Sequence, residues 1–119
     1  MRVLIVKENT DLAKVWVGHL ERQGHVVELA DSQSKAVRFL LKTTVDIIVL
    51  DLVMRGGSAF AIADFVSYRL PDAKIIFVSD SNFFSDGSIF QHIPNACAMM
   101  PTKMRPEDLG ALVEHYGPH

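Results

Sequence analysis

Residues 46–54 of the chain read DIIVLDLVM, and this stretch decides the fold class. Residues 47–50 are apolar without interruption and include β-branched side chains, a pattern typical of a strand buried on both faces of a parallel sheet. The run ends at an acidic residue, Asp51. Ligands of open parallel sheets bind outside the carboxyl ends of the strands, so Asp51 is the first candidate for a functional residue.

The segments on either side of this strand predict an alternation of strands and helices. Further strands are predicted at residues 3–6, 25–29, 74–79 and 98–100, and a first helix at residues 11–23. A second helix is capped by Asp31 or Ser32, a third starts after Ser58, and a last one starts at Pro106. Residues 81–94 predict a short or irregular helix. The residues of the first two helices that we expect to face the sheet are Leu12, Val15, Trp16, Leu20, Ala36, Val37, Leu40 and Leu41. This alternation predicts a doubly wound α/β domain with helices on both faces of one parallel sheet.

Composition limits the classes of function. The 119 residues suit a single domain over residues 1–119, and a formal net charge of −2 gives no general basic surface for nucleic acid or membranes. Cys97 is the only cysteine, which excludes an internal disulfide and a cysteine-rich metal site. No segment reaches the roughly 18 apolar residues of a membrane span. The five histidines lack metal-ligand spacing, and neither a nucleophile–base pair nor a glycine-rich phosphate loop is found. We expect a cytoplasmic protein.

Four short motifs occur in the order and at the spacing of a known family. They are VLIV running into the acidic Glu8, DIIVLDLVM around Asp51, IIFVS ending at Ser79, and PEDL at residues 106–109. Together they resemble the receiver domain of two-component response regulators, the CheY-like family, over essentially the whole chain. The resemblance implies a five-stranded, flavodoxin-like (βα)5 fold with strand order 2-1-3-4-5.

The resemblance also implies a set of functional residues. The family's aspartate after the third strand accepts a phosphoryl group from a histidine kinase, so Asp51 is the phosphoacceptor by resemblance. A divalent cation must neutralise the charge that develops when two anionic groups meet. By resemblance, Mg²⁺ is held by the carboxylates of Glu8 and Asp51 and the backbone carbonyl of Val53, which are hard oxygen ligands. Ser79 and a lysine after the fifth strand then bind the phosphoryl group and sense it.

The chain departs from the family directly after the first strand. Two adjacent acids are usual there, whereas here Lys7 precedes Glu8. An ammonium within about 4 Å of Asp51 contributes an attraction of several kcal/mol at an intermediate effective dielectric. Lys7 would then weaken Mg²⁺ binding and stand in for the cation. The alternative is that its side chain swings out to solvent, as long cationic side chains often do. The sequence leaves both orientations open.

The end of the fifth strand departs from the family as well. Residues 101–103 read Pro-Thr-Lys where Lys-Pro is usual. Counting back from Pro106 places Thr102 at the lysine position, but a local shift of one residue brings in Lys103, which we favour as the phosphate-facing lysine. Met99 occupies the position of the family's switch aromatic; it is flexible but cannot donate the hydrogen bond of a tyrosine.

Three aromatic residues raise further expectations. The adjacent Phe83 and Phe84 cannot share one helical face, so either one is exposed at a partner surface or both cover the end of the sheet. Trp16 lies on the first helix, and we expect it to lie away from the pocket.

These residues predict a receiver domain that accepts a phosphoryl group on Asp51 and then changes its affinity for a partner. The implied partners are a histidine kinase or phosphotransfer protein, a downstream protein, and optionally a second copy of the chain. As an enzyme the domain would at most catalyse its own Mg²⁺-dependent phosphorylation and dephosphorylation.

The alternative is a pseudo-receiver in which Lys7 occupies the metal position and the domain binds proteins without phosphorylation. A third hypothesis, a small flavodoxin-like binder or enzyme, lacks a ligand-specific loop. We expect no effector domain within this chain, which ends at His119 after the last helix, so it either works alone by docking on a partner or is a fragment of a longer regulator.

Overall fold

Five parallel strands form the centre of the computed structural model, which describes residues 1–8, 10–54, 56–80 and 93–118. The strands are β1 (Arg2–Val6), β2 (Val26–Ala30), β3 (Ile47–Asp51), β4 (Lys74–Val78) and β5 (Ala96–Met100). They lie in the order β2-β1-β3-β4-β5, which confirms the predicted topology. Every residue of β3 is buried, as its continuous apolar run predicts. The register of β4 against β5 shifts between Ile75 and Ile76.

Four helices occur within the described residues, and short polar side chains begin most of them. They are α1 (Asp11–Arg22), α2 (Gln33–Lys42), α3 (Ala59–Arg69) and α4 (Pro106–Tyr116). The hydroxyls of Thr10, Ser32 and Ser58 each accept a hydrogen bond from the backbone N–H three residues ahead. The predicted caps at Ser32 and Ser58 are therefore confirmed. The helix predicted within residues 81–94 falls largely on residues 81–92, which lie outside the described part.

The helices cover the two faces of the sheet in separate layers. Alternate residues of β1 point to opposite faces, so Leu4 belongs to one core layer and Ile5 to the other. The layer under α2 and α3 contains Leu40, Leu50, Ile62, Val66 and Phe77, and the layer under α1 and α4 contains Trp16, Leu20, Val49, Leu109 and Val113. None of the described helices is long and apolar enough to span a membrane.

Two residues that were predicted to face the sheet point outward instead. Val15 is 47% exposed and Leu41 is 49% exposed. Successive helical residues are rotated by about 100°, so a helix that buries Trp16 turns Val15 away, and one that buries Leu40 turns Leu41 away. The predicted buried face of each of these two helices therefore included one residue too many.

Candidate functional site

The carboxyl ends of β1, β3, β4 and β5 surround a cavity of about 280 Å³. Most of its walls come from residues that follow directly after these strands. The lining residues are Lys7, Glu8, Thr10, Asp51, Val53, Asp80 and Thr102. The cavity therefore lies where open parallel sheets bind their ligands.

Asp51 is the last residue of β3, and both of its carboxylate oxygens are hydrogen-bonded. Oδ1 accepts from the backbone N–H of Val53 at 2.9 Å, which closes a turn after the strand. Oδ2 accepts from the Nζ of Lys7 at 3.0 Å. The Asp51 side chain is 10% exposed, so this carboxylate depends on protein donors more than on water.

Lys7 follows β1 and points into the cavity, not out to solvent. Its backbone N–H donates to the carbonyl of Ala30 at 3.0 Å, and its side chain is 9% exposed. The ammonium also lies 5.5 Å from the ring centroid of Trp16, within the range of a cation–π interaction. Trp16 is completely buried. Trp16 does not line the cavity, but its ring lies beside Lys7, which does.

Of the other predicted site residues, some line the cavity and others do not. Glu8 and Thr102 line it, and Val53 contributes to its wall while remaining 69% exposed. Ser79 is buried directly after β4, and its backbone N–H donates to the carbonyl of Met100 at 3.0 Å. Lys103 is exposed and does not line the cavity.

Two further residues bear on the predicted site. Met99 packs against the core layer under α2 and α3. Asp80 also lines the cavity and was not predicted. It is the second residue after β4, one position beyond Ser79, so its place at the strand end is the signal that points to it.

The comparisons with known proteins agree with this architecture. Residues 3–88 match the family model of the response regulator receiver domain. The chain belongs to this family. No curated protein matches the chain.

Several solved receiver domains share the fold at low sequence identity. A CheY-like receiver domain protein from Methanospirillum hungatei has a TM-score of 0.86 at 18% identity, covering 96% of this chain and 90% of that one. The non-phosphorylated HemR receiver domain from Leptospira biflexa has a TM-score of 0.85 at 21% identity, covering 99% and 98%. TrrA from Thermotoga maritima, solved in complex with Mg²⁺ and BeF, has a TM-score of 0.82 at 19% identity, covering 97% of each chain.

Receiver domains generally bind Mg²⁺, but the side chains of this one do not fit the ion as they are arranged. Lys7 Nζ holds Asp51 Oδ2 at 3.0 Å, the oxygen on which a cation would have to compete. A divalent ion beside this ammonium would also be repelled by it. Among the described residues, no group of three or more His, Cys, Asp or Glu side chains is placed to hold a metal.

Outside the cavity, the reactive residue types have structural roles. The Sγ of Cys97 donates to the carbonyl of Ile75, and partial burial raises the pKa of this thiol to about 11, so it is unreactive near neutral pH. His25 is buried, with Nε2 2.9 Å from Glu114 Oε1. His92 and His119, together with Phe83 and Phe84, lie outside the described residues.

Proposed function

We propose that this receiver domain acts as a phosphorylation-independent protein-interaction module, in which the Lys7 ammonium takes the place of the cation beside Asp51. A single observation carries the proposal. The Lys7 and Asp51 side chains, only 9% and 10% exposed, form an ion pair at 3.0 Å.

Phosphoryl transfer to a carboxylate needs a free oxygen and a cation that neutralises the incoming charge. Here each oxygen of Asp51 already accepts one hydrogen bond, from Lys7 or from the N–H of Val53, and the Lys7 ammonium already offsets the charge of the carboxylate. The neutral Thr102 lines the cavity where the family's lysine is expected, while Lys103 is exposed. Breaking a buried ion pair leaves an uncompensated charge and is costly, so the ion pair opposes the binding of metal and phosphate in this cavity.

A phosphate-accepting receiver is the second candidate, and the position of Asp51 favours it. Asp51 ends β3 beside an open cavity that Glu8 also lines, and TrrA, of the same fold, was solved with Mg²⁺ and BeF. In this case Asp51 takes the phosphoryl group from a histidine kinase or phosphotransfer protein. Mg²⁺ would have to displace the Lys7 ammonium and would be held by Glu8, Asp51 and the carbonyl of Val53, and the domain would then change its affinity for a downstream protein or a second copy.

Intact mass after incubation with acetyl phosphate, with and without Mg²⁺, distinguishes the two candidates. The proposal predicts no phosphoryl adduct on the wild-type chain under conditions that label an ordinary receiver domain. Asp51→Ala is the control for modification at any other residue. A Mg²⁺-dependent adduct on the wild type that disappears in Asp51→Ala would establish the second candidate and rule out the first.

A further inference from the structure

The solvent-facing side of α2 carries a stripe of basic residues. Lys35, Arg38 and Lys42 are all exposed, and they lie within about 60° of one another around the helix axis. The last residue of α3, Arg69, reaches the same end of the helix, where its Nη2 donates to the carbonyl of Leu41 at 3.3 Å. α2 itself contains no acidic residue. A third of the 12 Lys and Arg residues thus gather around one helix of a chain whose net charge is −2.

This positive charge is only partly compensated. Lys35 Nζ pairs with Asp31 Oδ1 at 3.0 Å, whereas neither Arg38 nor Lys42 makes an ion pair with any residue that the structure describes. Two cations on one helical face, without an ion pair to any described residue, create a local positive potential, which attracts and orients an acidic partner.

Apolar side chains flank the basic stripe. Leu41 is 49% exposed, and with Val37 it forms a wall of a depression of about 420 Å³ beside the loop between β3 and α3. On the other side of α2, Leu29 and Phe39 contribute to a depression of about 330 Å³ along the edge strand β2. Arg38 lines both depressions. We use the term α2 surface for Lys35, Val37, Arg38, Leu41 and Lys42.

We infer that the α2 surface binds an acidic segment of a partner protein, which inserts an apolar side chain beside Leu41. Arg38 and Lys42 favour carboxylates, and the depression beside Val37 and Leu41 favours an apolar side chain. Glu28 lines the depression along β2 and repels any anion there, so the acidic groups of the partner are placed on the side of Arg38 that faces Leu41. This inference names a partner class for the proposed interaction role and rests on that role.

The test uses amide shift mapping by NMR on the full chain, without any phosphate donor. The probe is a synthetic peptide with leucines at helical spacing and glutamates at its other positions, and a matched peptide has lysines in place of the glutamates. The glutamate peptide should shift amides of α2 and of the loop after β3, and the lysine peptide should not. Arg38→Glu combined with Lys42→Glu should weaken binding roughly tenfold or more. Lys14→Glu, at an exposed position on α1 in the opposite layer, should leave the affinity within about twofold.

Several results would overturn the binding role proposed for the α2 surface. They are no saturable binding of the glutamate peptide, shifts that centre on other elements, or an equal loss of affinity in Lys14→Glu. Tighter binding of a short DNA duplex at α2 would assign the surface to nucleic acid, and self-association through α2 in sedimentation would assign it to a second copy. A phosphoryl adduct on Asp51 in the separate mass experiment would remove the proposed function but leave peptide binding by the unphosphorylated chain intact.

Discussion

At the scale of single residues, the charge of the pocket depends on Lys7, which stands where the family usually has an acidic residue. Lys7 gives Asp51 a cation from inside the chain, and the two side chains are almost excluded from solvent. In Lys7→Met, the Asp51 carboxylate keeps the hydrogen bond from the Val53 N–H but loses its buried counter-charge, so we expect the free energy of unfolding to fall by about 3 kcal/mol. Urea denaturation measures this loss.

The matched control for this variant is the double variant Lys7→Met, Asp51→Asn. It removes both charges, so most of the lost stability should return. If Lys7→Met alone costs less than about 0.5 kcal/mol, the ion pair behaves like an exposed one and does not hold the pocket closed.

The Lys7 ammonium also makes a cation–π interaction with the ring of Trp16. Its ring centroid lies 5.5 Å from Lys7 Nζ, and a partly desolvated cation–π contact contributes about 1–2 kcal/mol. In a double-mutant cycle of Trp16→Phe with Lys7→Met, we therefore expect a coupling of about 0.5–1 kcal/mol in denaturation experiments. Trp16→Phe keeps a ring in the core and limits the cavity that it leaves. An equal cost of Trp16→Phe in the wild-type and Lys7→Met backgrounds would show that Trp16 serves packing only.

At the scale of elements, local signals in the sequence predicted most of the fold. The apolar run of β3, the caps at Ser32 and Ser58 and the start of α4 at Pro106 all depend on neighbouring residues, and the structure confirms them. The outward positions of Val15 and Leu41 were missed because helical spacing defines a stripe without fixing its width. That width depends on which neighbouring elements the helix contacts.

The loop between β3 and α3 supplies a prediction at this scale. Gly57 has a φ of +133°, and a Cβ there would clash with the Gln33 side chain, whose Oε1 accepts from the N–H of Ser58 at 2.9 Å. Gly57→Ala should therefore lower the free energy of unfolding by about 1–3 kcal/mol. Thermal or urea unfolding measures it.

The control is Gly18→Ala, inside α1. Among the described residues, a Cβ at Gly18 would come close to the Nη1 of Arg22 alone, at the flexible end of a side chain, so this change should stabilise the chain by up to about 1 kcal/mol. Equal effects of the two variants would mean that the conformation of Gly57 does not constrain this loop.

At the scale of the whole molecule, strand order explains which site residues could be predicted. Asp51 ends β3 and Glu8 follows the neighbouring strand β1, so both lie at the strand ends where ligands of parallel sheets bind, and both line the cavity. Trp16 and the orientation of Lys7 depend on a long side chain reaching across to α1, and no local pattern encodes that contact. The role of Lys103 stays a prediction, although its side chain lies on the exposed surface.

The balance between ammonium and metal can be tested through the stability of the whole domain. Lys7→Asp places two adjacent acids directly after β1, beside Asp51 at the end of β3. Mg²⁺ should therefore bind the folded chain and stabilise it. A ligand at about 100 times its Kd stabilises by roughly 2.7 kcal/mol, which raises the Tm of a domain of this size by about 10 °C. The wild-type chain should not respond to Mg²⁺, and neither should Lys14→Asp, which makes the same change of charge on an exposed surface of α1. Differential scanning calorimetry with Mg²⁺ and then with a chelator measures the shift and its reversal. A wild-type Tm that rises with Mg²⁺ as much as that of Lys7→Asp would show that Lys7 does not occupy the place of the cation. No response in Lys7→Asp would show that a feature other than the ammonium keeps the metal out.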